Sequence, residues 1–543
     1  MDRSIYSPVE LWHDFTLEGR LLKKNIIESK KENGFVFEKF FVDGIDSSRI
    51  FCKQIFPDNN KKNKKTVLFL NDGGRLFSDA ELLEISQGNF AVATVDYAGE
   101  NPFNDDFHSI YPEELSYGNI SVCRNDLNSG KNIQESPWFL WARNIRIAIS
   151  AILETPYIFS GGLMIGGIGR GSLLAMQVAA ADKRCLSVIC VSGYGYLTGA
   201  GDITTEQSLA LTEENEMWLS AFSMSANAKL ISVPTLLTAN TNNPFVNVDN
   251  IGMLKSTFAT ENVYVCITPS FSFSVSDTAF SAIKAFISDV CLNKNKLPVI
   301  AEPTAEVKND KIVFEFSSAT QFKNCYLWYS HAQEQNKYRC WYGEKMRSKD
   351  GKLFTAEVNL RDVSDEIRYF VSCSTGAFCL TSVLSQKDIP HKAFIPGERR
   401  IIFNGSMDKN LFFAENETFE SDCHLKKEEG PFKIGGITGS GVISSYILSD
   451  IKLKPKDVNI LSLDVYGVEA KSFTIALYKE ANGCLIRYFS SWDYTPQPKW
   501  DKMTLDPSSF KNDKNIDMKD WNNIKKISFE NVDGMLFNNI LWI

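Results

Sequence analysis

The stretch 164–179 (MIGGIGRGSLLAMQVA) has the glycine spacing of a nucleophile elbow but contains no nucleophile at its centre. In such an elbow, written G-x-S-x-G, a strand turns sharply into a helix and the middle serine exposes its hydroxyl. Glycines flank the serine because the turn is tight and the neighbouring backbone comes close. Here Gly167 and Gly171 flank Gly169. Glycine offers no attacking atom, so the sequence predicts the shape of the elbow without its chemistry.

The segments around this turn alternate between strand-like and helical patterns. Continuous apolar runs are typical of strands in a buried parallel sheet, and strands alternating with helices predict an α/β fold with a doubly wound, mostly parallel sheet. Helices are expected at 137–153, which begins at a proline, and at 279–291. The polar stretch at about 100–134 is too long for a simple connection and is expected to cover a site or form a lid. The strand-like runs are TVLFLNDGG, FAVATVDYAG, LMIGG, LSVICVSG, VPTLLTAN and VYVCITP.

From about residue 7 to about residue 275, the sequence resembles the acetyl-xylan esterase and dienelactone-hydrolase-like group of bacterial α/β-hydrolases. The resemblance is carried, in chain order, by SPVELWHDF, LFLNDGG, TVDYAGE, SPWFLWARNIRIAI and the elbow helix that ends in AAADKR. It implies an α/β-hydrolase domain over residues 1–295, including an N-terminal extension. It also implies a triad with a serine at the elbow, an acid after a later strand and a histidine after the last strand.

All three triad positions implied by the resemblance hold other residues. Gly169 replaces the serine, and Asn242 replaces the acid, with Asn243 as the alternative equivalent. Phe273 or Ser274 stands at the histidine position. The chain has no histidine between positions 108 and 331, so no shift of the alignment supplies a base. Because a serine needs a base and the base needs an orienting acid, we expect the whole mechanism to be missing.

Backbone donors that would stabilise an oxyanion are expected to survive in part. Gly73 and Gly74 follow the first strand, and Arg170 supplies the amide after the elbow. The Arg170 side chain is also a candidate for binding an anion in the vacated pocket. The alternative is a surface or lid-facing arginine paired with a loop carboxylate.

Two other side chains are candidates to replace a residue of the triad. Ser172 is the nearest hydroxyl, but it lies three residues beyond the centre of the elbow, and its side chain is expected to point into the helix. His108 lies near Asp105 and Asp106, where a base or a metal ligand is conceivable, yet a solvated loop is the favoured interpretation. No cofactor is expected.

The pattern changes near residue 298. Short strands with turn residues every eight to twelve positions predict an Ig-like β-sandwich over residues 298–388. The proline-bearing stretch 389–400 is predicted to be a linker. Four aromatic residues of the sandwich are expected to fill the core rather than to form a sugar-stacking platform: Tyr326, Trp328, Trp341 and Tyr342.

Residues 401–543 again contain only strand-like runs and many aromatics, which predicts a jelly-roll sandwich. The phrases FKIGGITGSGVISSYI, LSLDVYG and NNILWI resemble the galactose-binding-like jelly rolls that are common as carbohydrate-binding modules. Trp492, Tyr494 and Trp500 lie in the polar stretch SSWDYTPQPKW and are candidates for sugar stacking. Trp521 and Trp542 are expected in the core.

The composition of the chain argues against several classes of partner and site. The chain has 543 residues, 44% hydrophobic and 23% charged, and a net charge of −8, which argues against nucleic acid as a partner. No run of about 18 apolar residues predicts a membrane span, and no apolar leader is seen, so we expect a cytoplasmic protein without a membrane partner. The twelve cysteines form no C-x-x-C pair; free thiols are expected, and no zinc or other metal site.

Two functional hypotheses come out of the sequence. The first is a catalytically inactive esterase-like protein with two β-sandwiches that binds a carbohydrate or a protein partner. The second is an active carboxylic-ester hydrolase, similar to enzymes that deacetylate carbohydrates, in which other residues have taken over the catalytic roles. The ligand and the oligomeric state are not predicted by the sequence.

Overall fold

A computed structural model of the chain describes residues 7–13, 15–17, 22, 24–59, 63–100, 107–123, 132–193, 213–243, 246, 248–271, 275–292, 294, 296–331, 336–360, 363, 365–389, 399–415, 425–453, 457–481 and 483–543. The strands form one large sheet followed by two pairs of smaller sheets. We name the three parts the N-terminal, middle and C-terminal units. Within the described residues, no helix is long and apolar enough to cross a membrane.

The N-terminal unit is built on a nine-stranded sheet with the order β1-β2-β3-β5-β4-β6-β7-β8-β9. Neighbouring strands are antiparallel from β1 to β5 and parallel from there to β9. The strands are β1 Lys24–Glu32, β2 Phe35–Asp43, β3 Arg49–Pro57, β4 Thr66–Leu70, β5 Ala91–Val95, β6 Leu163–Ile168, β7 Cys185–Val191, β8 Thr235–Asn240 and β9 Val263–Thr268. Every residue of β4, β5, β6, β8 and β9 is buried, as continuous apolar runs require.

Helices cover both faces of this sheet, which confirms the predicted doubly wound α/β class. The helices are α1 Pro8–Trp12, α2 Asp79–Ser86, α3 Pro137–Leu153, α4 Arg170–Ala181, α5 Glu213–Phe222, α6 Met224–Ala228, α7 Ile251–Thr257 and α8 Asp277–Cys291. On one face, Trp141 of α3 and Leu174 of α4 belong to a single apolar core. On the other face, Leu82 of α2 and Phe286 of α8 belong to a second core.

The N-terminal extension expected from the sequence contains three antiparallel strands that the sequence reading did not assign. The edge strand β1 is largely exposed and rich in lysine and glutamate, so its alternation carries little hydrophobic signal. The long polar stretch after β5 is also more ordered than a solvated loop in its described part, because the indole of Trp141 donates to the Gly118 carbonyl at 2.8 Å. Tyr111 donates to the Tyr97 carbonyl at 2.8 Å. Residues 101–106 and 124–131 of this stretch lie outside the described residues.

The middle unit is a two-sheet sandwich. One sheet has the order β10-β11-β15-β14, and the other has the order β13-β12-β16-β17 with β18 paired to β16. The strands are β10 Thr304–Lys308, β11 Lys311–Ser317, β12 Asn324–His331, β13 Trp341–Lys345, β14 Arg347–Ser348, β15 Leu353–Asn359, β16 Glu366–Ser374, β17 Cys379–Thr381 and β18 Ser385–Asp388. Of its candidate aromatics, Trp341 is buried and Trp328 packs against the core of the N-terminal unit, as core filling predicts. Tyr326 is exposed instead, so the prediction is wrong for that ring. Most of the predicted linker, 390–398, lies outside the described residues.

The C-terminal unit is also a two-sheet sandwich, as the sequence predicts. One sheet has the order β21-β22-β30-β24-β27 with β19 paired to β30, and the other has the order β20-β23-β29-β25-β26-β28. The strands are β19 Ile401–Phe403, β20 Phe413–Ala414, β21 Lys426–Glu429, β22 Gly435–Thr438, β23 Val442–Ser445, β24 Leu461–Gly467, β25 Lys471–Ala481, β26 Cys484–Tyr494, β27 Asp501–Leu505, β28 Lys511–Asn512, β29 Ile524–Glu530 and β30 Met535–Trp542. Side chains from both sheets, including Leu463, Ile475 and Phe537, form its core.

Candidate functional site

The predicted elbow is present between β6 and α4. Gly169 has φ 54° and ψ −120°, a conformation that side-chain-bearing residues rarely adopt, and its N–H donates to the Val191 carbonyl at 2.9 Å. The flanking glycines are required by close backbone. An ideal Cβ at Gly167 would lie 2.2 Å from the carbonyl carbon of Gly171, and one at Gly171 would lie 2.3 Å from the carbonyl oxygen of Asn71.

This turn follows the central strand β6, at the carboxyl edge of a sheet whose strand order reverses at β4 and β5. A strand–elbow–helix at the top of such a sheet is the nucleophile position of α/β-hydrolases. The N-terminal unit has an α/β-hydrolase fold. It is called the hydrolase unit below.

The space that a nucleophile would occupy is filled by the carboxylate of Asp72. An ideal Cβ at Gly169 would lie 2.1 Å from Oδ1 of Asp72 and 2.5 Å from its Cγ. The same Oδ1 accepts a hydrogen bond from the backbone N–H of Arg170. That N–H is the oxyanion donor expected from the sequence, so a carboxylate of the protein occupies the place of a substrate oxyanion. The N-terminus of α4 favours negative charge there, because the helix dipole places its positive end at the first N–H groups.

The residues after β4 complete this arrangement. Gly73 is buried with φ 90°, and an ideal Cβ on it would lie 2.7 Å from Nη1 of Arg170. Nη1 of Arg170 donates to the carbonyl oxygen of Asp72. The guanidinium is therefore folded onto the turn formed by Asp72, Gly73 and Gly74. Arg170, Gly73 and Gly74, which the sequence predicts at the site, do come together. The carboxylate beside them, that of Asp72, was not predicted to take part.

The residue predicted to stand in place of the acid contacts the middle unit. Asn242, just after β8, is buried, and its Nδ2 donates to the carbonyl oxygens of Asn336 at 3.0 Å and Arg339 at 2.6 Å. Its Oδ1 accepts from the Thr241 hydroxyl at 2.6 Å. Two carbonyl oxygens need an N–H donor, which an ionised aspartate lacks. Asparagine at this position is therefore matched to the domain contact and unsuited to orienting a histidine.

A buried ion pair extends the same contact. Asn336 returns two hydrogen bonds to the hydrolase unit, to the carbonyl oxygens of Asn243 at 2.9 Å and Val246 at 2.7 Å. The fully buried guanidinium of Arg339 binds both carboxylate oxygens of Asp249, at 2.5 and 2.7 Å. A bidentate geometry of this kind is among the stronger side-chain interactions. The loop after β8 is thus held by the middle unit at Asn242 and at residues that follow it.

The histidine position lies outside the described residues, since Phe273 and Ser274 belong to 272–274. The residues just before it contact the C-terminal unit. The N–H of Phe271 donates to the Asn410 carbonyl at 3.2 Å, and the buried Phe271 ring packs with the core of that unit. Both loops that would carry the acid and the base are therefore joined to the sandwich units.

A cleft of about 690 Å³ remains at this edge of the sheet, between the hydrolase unit and the C-terminal unit. Its apolar walls come from β4, β6, β7, α2 and α8, and its polar rim comes from the loop after β9 and from residues 408–410. The residues that line it include Phe69, Phe77, Ile168, Val191, Thr268, Ser276, Phe280, Asp408, Asn410 and Phe412. Of the elbow residues 167–171, Ile168 lines this cleft, whereas the centre of the elbow, Gly169, contributes no side chain to it.

The two stand-ins weighed from the sequence are not arranged as a nucleophile and a base. Ser172 is buried, donates to the Gly167 carbonyl at 2.6 Å and accepts from the Val191 N–H at 2.9 Å. Its side chain thus points into the fold, as predicted. His108 is half-buried, and Asp105 and Asp106 beside it in the sequence lie outside the described residues.

Asp96, at the carboxyl end of β5, is a buried titratable group that the sequence reading missed. Burial raises the pKa of its carboxyl to about 7, although the backbone N–H groups of Ser109, at 2.6 Å, and Ala98, at 3.1 Å, donate to it and oppose the rise. The hydroxyl of Ser109 also accepts a hydrogen bond from the Phe51 N–H at 2.8 Å. Asp96 thus ties β5 to the long loop that follows it. Its position directly after a buried strand was the available signal.

The aromatic trio proposed from the C-terminal sequence is divided by the structure. β26 extends through Trp492 and Tyr494, so these two lie on a strand rather than in a loop. Tyr494 is buried, and its hydroxyl bonds to the backbone of Gly467, which corrects the expectation that its ring is exposed. Trp492 is 38% exposed at the edge of one sheet, whereas Trp500 begins the approach to β27 in the other sheet. The three rings do not form one platform.

No family model matches this chain, and no curated protein matches it. Solved structures similar to it include an acetyl xylan esterase from Paenibacillus sp. R4, with 15% identity over 48% of this chain and 85% of that one and a TM-score of 0.36. Acetyl xylan esterase 1 from Thermoanaerobacterium sp. JW/SL YS485 has 13% identity over 53% and 94%, with a TM-score of 0.39. A glucuronoyl esterase from Solibacter usitatus has 13% identity over 46% and 78%, with a TM-score of 0.33.

Proposed function

We propose that this protein is a non-catalytic α/β-hydrolase-fold protein that binds a carbohydrate or a protein partner. The observation that carries the proposal is the carboxylate of Asp72 in the space of the missing nucleophile at Gly169. A substrate carbonyl cannot reach the Arg170 N–H while that N–H is bonded to Asp72. An ester carbonyl approaching the elbow would also meet a negative charge, which opposes the negative charge that develops in acyl transfer.

The acid position supports the proposal independently. Asn242 donates to two carbonyl oxygens of the middle unit, and its side chain is committed to that contact. Restoring an acid there would set a carboxylate against those oxygens. The two former catalytic positions thus serve structural contacts, and both uses favour loss of catalysis over relocation of it.

The experiment that tests the proposal is ester hydrolysis combined with active-site labelling. The full chain is incubated with p-nitrophenyl acetate and, separately, with a fluorophosphonate probe that reacts with activated serines. We expect no turnover above the uncatalysed rate and no labelling, because the elbow holds glycine at position 169, where an activated serine would lie. Turnover that a single substitution abolishes, or stoichiometric labelling of one serine, would establish the alternative, an active carboxylic-ester hydrolase with relocated groups. Ser172→Ala is the matched control, since Ser172 is the serine nearest the elbow.

The binding half of the proposal rests on the C-terminal unit. Its sandwich carries aromatic rings that are partly or largely exposed, among them Tyr466, Trp500 and Phe432. Exposed rings of this kind are typical of recognition surfaces. The fold alone does not establish a ligand, so the surface has to be argued from its own side chains.

A further inference from the structure

Two aromatic rings lie together on the outer face of one sheet of the C-terminal unit. Along β24, Leu463 and Val465 point into the core, whereas Tyr466 lies on the opposite, partly exposed face. The ring of Tyr466 is 5.9 Å from that of Trp500, and the two planes are inclined by 54°. The two rings are therefore in contact on this face and are tilted against each other.

The indole of Trp500 packs so closely against the backbone of two residues that only glycine fits at their positions. An ideal Cβ would lie 2.6 Å from the indole at Gly430 and 2.8 Å from it at Gly436. The indole N–H donates to the Pro431 carbonyl at 3.1 Å, which fixes the rotation of the ring. The position of the Trp500 ring is thus fixed by the surrounding backbone before any ligand binds, which lowers the entropy cost of binding.

The rim of this ring pair carries an exposed phenylalanine in an unfavourable backbone conformation. Phe432 has φ 61° and is 80% exposed, and Lys433 beside it has φ 58°. Glycine or asparagine would occupy such turn positions at less cost. A bulky apolar side chain at the tip of this hairpin, next to the carbonyl that binds Trp500, is not explained by the stability of the turn.

The same face of the sheet also carries hydrogen-bonding groups. Asp464 lies two residues before Tyr466 on β24, and the register pairs it with the exposed Lys502 of β27. Glu428 is paired with Gly436, which places it on the face that the indole covers. Flat rings flanked by carboxylates and an ammonium suit a ligand with apolar ring faces and many hydroxyls. The mixture of charges does not favour an anionic surface.

We propose that Tyr466, Trp500 and Phe432 form a stacking platform for a neutral, soluble polysaccharide, with Asp464 and Lys502 binding its hydroxyls. The proposal deepens the binding half of the proposed function and names its ligand class. It replaces the trio expected from the sequence by a set that the two sheets bring onto one face. Trp492, on the other sheet, is not part of it.

The platform is tested with the full chain by affinity electrophoresis in gels that contain arabinoxylan, galactomannan or mixed-linkage β-glucan. We expect retardation by at least one of the three. Trp500→Ala and Phe432→Ala are expected to weaken that binding at least about tenfold, since each removes a stacking ring. Trp492→Ala is the matched control and is expected to leave binding unchanged. Phe432→Ala guards against misfolding, because a side chain that is 80% exposed contributes little to the core.

Three outcomes would overturn the platform. One is the absence of retardation by all three polysaccharides. Another is an equal loss of binding in Trp492→Ala and Trp500→Ala. The third is co-sedimentation of the protein with phosphatidylcholine–phosphatidylserine vesicles that Phe432→Ala abolishes, which would assign the hairpin tip to a membrane surface. None of these assays reads ester turnover, so a failed platform leaves the non-catalytic assignment intact, and measured turnover leaves the platform intact.

Discussion

Restoring a serine at the elbow tests whether Asp72 has taken the place of the nucleophile. In Gly169→Ser, the new Cβ would start 2.1 Å from Oδ1 of Asp72, so the carboxylate must move. Its movement breaks the hydrogen bond from the Arg170 N–H. We expect the variant to be less stable than the natural protein and to gain no esterase activity, since neither an acid nor a base is placed to activate the serine.

The size of the effect has two parts. Holding a side-chain-bearing residue at φ 54°, ψ −120° costs about 1–3 kcal/mol. Losing a hydrogen bond to a charged group adds about 1.5–3 kcal/mol. A total of about 4 kcal/mol lowers the melting temperature of a unit of this size by about 10 °C.

The assay is thermal unfolding of a small set of variants. Gly34→Ser is the matched control, because Gly34 has φ 79° and no atom within 4 Å of its ideal Cβ, so it carries the backbone cost without the collision. In Asp72→Ala/Gly169→Ser, the collision is absent, and we expect the loss to fall short of the sum of the single losses by about 2 kcal/mol. Equal losses in Gly169→Ser and Gly34→Ser, or additive losses in the double variant, would refute the reasoning.

Three further predictions concern the buried polar groups. Asn242→Asp is expected to lower the free energy of unfolding by about 3 kcal/mol, because a carboxylate would face the carbonyl oxygens of Asn336 and Arg339. The loosened contact with the middle unit should be seen as faster limited proteolysis. Asn89→Asp, at an exposed site, is the control and should change neither quantity. Arg339→Ala is expected to cost about 3 kcal/mol, because it removes the bidentate partner of Asp249 and leaves that carboxylate only its ion pair with Arg368. The loss in Arg339→Ala/Asp249→Ala should fall short of the sum of the two single losses, and additive losses would contradict an ion-pair role. The pKa of Asp96 is raised to about 7 in the folded protein, so folding favours the protonated carboxyl. The resulting stabilisation is fully present below pH 4. It is lost as the pH rises toward 7, and the free energy of unfolding falls by roughly 4 kcal/mol over that range. Chemical denaturation between pH 4 and pH 8 should show this decline in the natural protein and a flatter profile in Asp96→Asn.

The sequence predicted the elbow and its emptiness because these depend on local geometry. Positions 167 and 171 require glycine, because an ideal Cβ at either one would lie within 2.3 Å of a backbone atom. This requirement fixes the spacing of the two glycines in the sequence. The doubly wound sheet was predictable for a similar reason, since its buried strands are uniformly apolar. The elbow could therefore be located without any structure.

What replaced catalysis could not be predicted, because it depends on contacts between distant segments. Asp72 and Gly169 are far apart in the sequence, and only the pairing of β4 with β6 brings them together. The donors of Asn242 find their acceptors 94 and 97 residues away. The local sequence pattern shows an asparagine where an acid is expected. It does not show the contact with the middle unit that requires the N–H groups of this side chain.

The aromatic residues of the C-terminal unit illustrate a different limit. Prolines after Tyr494 favoured a loop, yet β26 continues through it, and the alternation along the strand turns its ring inward. Trp500 was named for its local context, but its partners Tyr466, Gly430 and Gly436 come from other strands. Which face a ring occupies was decided by sheet register, which the sequence does not display.

The most direct test of the central claim is fluorophosphonate labelling of the natural protein, read by intact-mass spectrometry, beside hydrolysis of p-nitrophenyl acetate. If the Asp72 carboxylate fills an emptied elbow, the mass stays unchanged and hydrolysis matches the uncatalysed rate. A single adduct on one serine, together with turnover that its replacement by alanine removes, would contradict the account.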